Sequence, residues 1–220
     1  MGNIGQDAVD EYITARMEDM LSEEFRASVP KPRNDTLPSG SAPTLPGFAG
    51  KKGSGKSHVA NELSINISAI HTSFSAPIKS MLIAMGLSFE EVYGELKEWE
   101  CALLGGQTPR HAMQTLGTEW GRQMIHEDLW ARIGIKNALA KAESAKCPFV
   151  VFDDVRFPNE VKAIKDAGGK VIWVQRDSVY SAGDTHSSEN SVGPEDCCMV
   201  FDNSKPYITA EDLSAILSRK

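Results

Sequence analysis

Gly50-Lys51-Lys52-Gly53-Ser54-Gly55-Lys56-Ser57 fits the pattern G-x-x-x-x-G-K-[ST] at every required position. Glycines are needed there because the backbone must wrap around phosphate oxygens with its N–H groups pointing inward, in conformations closed to most side-chain-bearing residues. Lys56 supplies a mobile positive charge for the β and γ phosphates of a nucleoside triphosphate. The Ser57 hydroxyl is a ligand for the Mg²⁺ that bridges them. A magnesium site of this kind also wants a carboxylate at the end of a neighbouring buried strand. Asp153 and Asp154 follow the apolar run Phe149 to Phe152 in that position. Adjacent residues on a strand point to opposite sides, so at most one of the two can face the phosphate loop.

Between the loop and the aspartates, the segment 108–122 concentrates guanidinium, amide and hydroxyl groups around Gly117 and Gly121. Arg110, Gln114, Thr118 and Arg122 recur every fourth residue, which over a helix would put them on or near one face. Such a stripe suits a phosphorylated, base-bearing ligand, since arginine grips phosphate bidentately and glutamine reads a base edge. An exposed polar helix face would have the same spacing.

The elements that must hold these groups can be read from apolar patterning. A short strand near Leu45 to Ala49 should feed the glycine loop, although Pro46 stands where a buried strand wants an N–H, and a helix should follow from about Lys56 to Ile70. Phe149 to Phe152 and Lys170 to Val174 read as buried strands. The helix between them has Pro158 in its first turn and ends at Gly168 and Gly169. Strand, helix, strand at this spacing is a βαβ unit with parallel pairing. Met199 to Phe201 and a C-terminal helix opened by Thr209, with Asp212 three residues on, complete the set.

The first 28 residues form an acidic amphipathic helix pattern, with apolar residues from Val9 to Phe25 at helical spacing. Residues 29–43 are rich in proline and read as a linker, so the expected catalytic domain is 44–220. The chain has 220 residues and a net charge of −7, which argues against general attraction to nucleic acid or anionic membranes. Its four cysteines include no C-x-x-C pair, and no apolar run is long enough to span a bilayer. A reducing, cytoplasmic setting is the expectation, with no nucleic-acid partner and no membrane.

The segments GFAGKKGSGKS, FSAPIK (Phe74 to Lys79), TPRHAMQTLGTEWGR (Thr108 to Arg122), HEDLW (His126 to Trp130), DVRFPNE (Asp154 to Glu160) and HSSE (His186 to Glu189) resemble, in order, the signatures of the phage-type deoxynucleoside monophosphate kinase family. The resemblance covers roughly residues 44 to 215. It implies an α/β fold of the P-loop NTPase type, a parallel sheet flanked by helices, adenylate-kinase-like with a mobile lid segment. It also implies ATP and Mg²⁺, transfer of the γ-phosphoryl group to a deoxynucleoside monophosphate for DNA precursor synthesis, the host cytoplasm as location if the chain is phage-encoded, and a possible homodimer.

Carried over residue by residue, Phe74 and Lys79 belong to the acceptor side, with Phe74 a candidate for stacking on the base. Arg110, Gln114, Thr118, Arg122 and Trp130 line the monophosphate and base pocket. Asp154, Arg156 and Glu160 join it to the loop, and Ser57 with Asp154 forms the metal side. Lys56, Arg110, Arg122 and Arg156 are the charge-neutralising groups expected in catalysis. Arg176 precedes the segment 177–193, expected to be the lid over ATP, and is the candidate there for its phosphates. Core packing is the alternative for Phe74 and Trp130, as a structural ion pair is for Arg156 and Glu160. The rival functions are a P-loop kinase of another small acceptor and a nucleotide-binding switch without turnover.

Overall fold

The computed structural model describes residues 42–176, 191–204 and 210–217, all within one unit of the chain, Thr36–Lys220. The expected helix over 1–28, nearly all of the linker, the lid segment to residue 190 with His186 to Glu189, and the Thr209 cap lie outside the described residues.

Five parallel strands form one sheet in the order β2-β3-β1-β4-β5. They are β1 (Pro46–Ala49), β2 (Ile70–Thr72), β3 (Val150–Phe152), β4 (Lys170–Gln175) and β5 (Met199–Asp202). The helices are α1 (Lys56–Asn66), α2 (Ala76–Ala84), α3 (Phe89–Tyr93), α4 (Pro109–Thr115), α5 (Leu129–Ala145), α6 (Pro158–Asp166) and α7 (Ala210–Leu217), and a π-helix (Leu116–Ile125) continues α4. The fold is therefore α/β with a parallel sheet, as expected.

β1 is the central strand and is buried throughout. Pro46 is its first residue, opposite Lys170, a position where a missing N–H is tolerated. Gly47 follows because a Cβ there would collide with Ile164 of α6. Alternation along the strands divides the core into two layers. Val150 and Phe152 face one layer with Val171 and Trp173, joined by Phe74, Ala138 and Ile164. Val151 faces the other with Ile172 and Val174, joined by Val59 and Leu63 of α1. A third, smaller cluster of Leu82, Leu87 and Val92 packs with Leu104, Met113 and Leu116, giving the segment between α2 and the π-helix a core of its own.

Helix α1 ends sooner than the apolar pattern suggests. Ser68 takes a left-handed conformation, φ 52°, and turns the chain into β2, an edge strand that the sequence reading did not anticipate.

Candidate active site

β1 runs out into the glycine loop at the C-terminal edge of the sheet, where ligands of open α/β sheets bind. Gly50, Gly53 and Gly55 have φ of 147°, 81° and 90°, values that side-chain-bearing residues rarely adopt. Lys51, Lys52 and Gly53 are exposed around the loop. The Lys56 ammonium donates to the carbonyls of Gly50 (2.6 Å) and Lys51 (2.8 Å), so it lies folded across the cradle. Ser54 is 2% exposed, and its Oγ is buried with no hydrogen-bond partner among the described residues.

Asn203 was missed by the sequence reading. It follows β5 and is buried, its side-chain amide donating to the Ser54 carbonyl at 2.8 Å, while its backbone N–H donates to the Gln175 carbonyl at 2.8 Å. One residue thus ties the glycine loop to the ends of β4 and β5. A Cβ at Gly55 would collide with this amide, a second reason for glycine there besides its positive φ. Ser54 and Asn203 are 149 positions apart, so no local pattern could have signalled the contact.

The two aspartates divide as alternation requires, but opposite to the expected assignment. Asp153 continues the face of Val151, which packs on α1, and so reaches the Ser57 hydroxyl at that helix's start. It also lies 3.3 Å from His71 Nε2 and within the field of Lys79. Burial works to raise its pKa, yet the hydrogen bond and charge of His71, then Ser57 and Lys79, outweigh it and hold the carboxyl below its ordinary value. Asp154 lies on the face of Phe152, and its two oxygens accept from the backbone N–H groups of Phe74 (2.7 Å) and Ser75 (2.9 Å). Burial and the neighbouring Asp153 push its pKa up. The residue beside Ser57 is Asp153, and Asp154 instead anchors the start of α2.

The expected arginine stripe is not one face. From Leu116 the helix is π-helical, with i→i+5 bonds, so residues four apart drift around the axis. Arg110 is exposed and paired with Glu98, Gln114 is exposed, and Thr118 is half-buried. The Arg122 side chain is only 16% exposed. It donates to the Gly117 carbonyl (2.8 Å) and to Glu160 Oε1 (2.9 Å), and its guanidinium lies 3.8 Å over the Phe157 ring. Burial lowers its pKa, opposed by Glu160.

Glu160 also accepts from the backbone N–H groups of Arg156 (2.8 Å) and Phe157 (3.2 Å), where α6 begins. Burial, then the charge of Asp154, pushes its carboxyl up to about 7 despite these donors. The ion-pair alternative holds for Glu160, with Arg122 rather than Arg156 as the side-chain partner, and both ends of the pair are shifted toward neutrality.

Two aromatic assignments are also corrected. Phe74 is 2% exposed and stacks on Phe152 at 4.5 Å between ring centroids, so it is core rather than a base platform. Trp130 is 1% exposed, donates from Nε1 to the Gly117 carbonyl at 2.7 Å, and fills the space that a Cβ at Gly121 would take. Packing thereby explains Gly121 of GTEWGR. Lys79 is half-buried on α2 with its charge acting on Asp153, Arg156 is exposed after β3, and Arg176 is exposed at the end of β4. No helix among the described residues is long and apolar enough to cross a membrane.

Comparison with known proteins bears on the family. The family model described as deoxynucleotide monophosphate kinase matches residues 105–213. A protein of Acanthamoeba polyphaga mimivirus, provisionally named a deoxynucleotide monophosphate kinase, is 35% identical over 158 residues, covering 66% of this chain and 80% of that protein. The deoxynucleoside-5'-monophosphate kinase of Escherichia phage T5 is 39% identical over 59 residues, 27% of this chain and 22% of that protein. Among solved structures, one from Thermus thermophilus superposes with a TM-score of 0.44 at 14% identity, covering 79% of this chain and 94% of that one. With a relative at this identity spanned over four-fifths of its length, the chain belongs to the deoxynucleotide monophosphate kinase family.

Proposed function

We propose that the protein transfers the γ-phosphoryl group of ATP to a deoxynucleoside monophosphate. An oxygen of the acceptor phosphate forms a bond to the γ-phosphorus, the bond from that phosphorus to the β-phosphate oxygen breaks, and ADP and a deoxynucleoside diphosphate result. The observation that carries this reading is the convergence of Lys56, Ser57, Asp153 and Lys79 at one edge of the sheet, in a chain of this family.

Mg²⁺ fits the residues present: Ser57 Oγ and an ionised Asp153 carboxylate lie together, and such an ion draws its remaining ligands from water and phosphate. Bound there, the ion would supply charge neutralisation across the donor phosphates. The loop N–H groups and the start of α1 hold the donor phosphates. Lys56 is in reach to exchange the Gly50 and Lys51 carbonyls for phosphate oxygens. Lys79, on the Asp153 side, offsets the repulsion between two polyanions, with Arg156, Arg176 and Arg110 as exposed guanidiniums for either substrate. No general base is required, because the acceptor phosphate is already an anionic nucleophile.

Following ADP formation with ATP and each of the four deoxynucleoside monophosphates in turn tests the proposal. ADP release that depends on at least one of them is expected. ADP release indifferent to all four would contradict it.

A further inference from the structure

Outside the groups already assigned, the most unusual surface near the site is an exposed aromatic pair on α3. Phe89 and Tyr93 are 62% and 43% exposed, and their rings stack at 4.5 Å between centroids with 17° between planes. Single exposed aromatics need no explanation, but a stacked pair left in water gives up burial that a fold ordinarily takes. The Lys79 ammonium lies 4.7 Å from the centroid of Tyr93. The same ammonium is among the charges acting on Asp153. A single lysine therefore bridges the reaction centre and an aromatic face.

We infer that Tyr93, backed by Phe89, is the platform on which the base of the acceptor nucleotide stacks, while Lys79 meets its phosphate. This rests on the kinase reading above and deepens it. A monophosphate acceptor presents an anionic phosphate and a flat base one sugar apart, and the Lys79 ammonium, which lies over the Tyr93 ring, moves from that face to the phosphate as the base takes its place. Stacking on an aromatic face needs no particular base edge, so this platform contributes alike to every base accepted.

The mount is rigid enough for the task. Ser88 caps α3, accepting from the Glu91 N–H at 3.3 Å while the Glu91 carboxylate accepts from the Ser88 N–H at 2.7 Å. Val92, 1% exposed, plugs into the small core with Leu82 and Leu87, which leaves its neighbour Tyr93 facing outward. Phe74, the aromatic that the sequence suggested for this role, is spent in the main core.

The test uses the full chain with Tyr93→Ala and Tyr93→Phe. Equilibrium dialysis of a labelled deoxynucleoside monophosphate, acceptor and ATP KM values, and thermal melting are measured on each. Tyr93→Ala should weaken acceptor binding and raise acceptor KM by about tenfold, in line with the loss of one base stack. ATP KM and melting temperature should stay where they are, and Tyr93→Phe, which keeps the π-face, should behave as the parent. Unchanged acceptor binding in Tyr93→Ala would overturn the inference, as would an equal loss for both substrates. Should the alanine variant melt early, Tyr93→Leu retains the bulk without the π-face, and retained acceptor affinity in that variant overturns the inference in the same way. A parent protein that binds and phosphorylates no deoxynucleoside monophosphate would instead overturn the kinase reading itself, before any variant is made.

Discussion

Replacing Arg122 by methionine separates a scaffold from a substrate site. In the structure both ends of the guanidinium are committed, to the Gly117 carbonyl and to Glu160, and its face lies on Phe157. Methionine keeps much of the packing but leaves Glu160 buried without its cation. Breaking a buried pair from one side costs about 3 to 5 kcal/mol when the remaining charge cannot relax. Glu160 can relax, by taking a proton.

Its folded pKa, about 7, is already raised above the ordinary 4.5, so the stability it contributes is fully present below about 4.5 and is lost as pH rises through about 7. Removing Arg122, one of the groups that lower this pKa, raises it further. The variant should therefore be penalised more at pH 8 than at pH 6. At pH 8 a loss of about 3 kcal/mol corresponds to a fall in melting temperature on the order of 10 °C for a domain of this size. Thermal and urea unfolding at the two pH values read the difference. An equal loss at both would refute the coupling to Glu160. Unchanged stability with a selective loss of acceptor kcat/KM would return Arg122 to the substrate site.

Lys56→Ala should lower turnover by at least about a hundredfold with the fold intact, because the ammonium that donates to the Gly50 and Lys51 carbonyls is the cation in reach of the donor phosphates. Asp153→Asn should raise the Mg²⁺ concentration needed for half-maximal activity while the fold persists. Asp154→Asn should instead cost about 1 to 3 kcal/mol in urea unfolding, since an amide cannot accept from both the Phe74 and Ser75 N–H groups. Asn203→Ala leaves the Ser54 carbonyl without its buried donor and should weaken ATP binding more than acceptor binding, as measured by calorimetric titration of each substrate.

The glycine loop was legible because all of its chemistry lies within eight consecutive residues, β1, β3 and β4 because each is a short, largely buried apolar run, and β5 because Met199 to Phe201 is apolar, although only Phe201 is buried. β2 was not, since Ile70, His71 and Thr72 form an edge strand without an apolar run. The stripe from Arg110 to Arg122 was misread because spacing of four implies one face only on an α-helix, and nothing local announced the π-helix. Phe74 and Trp130 show why an aromatic near a motif stays ambiguous in sequence: whether it stacks on a ligand or on Phe152 depends on what the fold brings beside it. The order of the aspartates was in principle readable. Alternation from Val151, once that residue is known to face α1, puts Asp153 and not Asp154 beside Ser57.

The account stands most directly on where the γ-phosphoryl group of ATP goes. Incubating the protein with γ-labelled ATP and a deoxynucleoside monophosphate, then separating the products, decides it in one measurement. The label should appear in the β-phosphate of a deoxynucleoside diphosphate, one equivalent for each ADP formed. Label recovered only as inorganic phosphate, with the monophosphate unchanged, would contradict the assignment of this site to phosphoryl transfer between nucleotides.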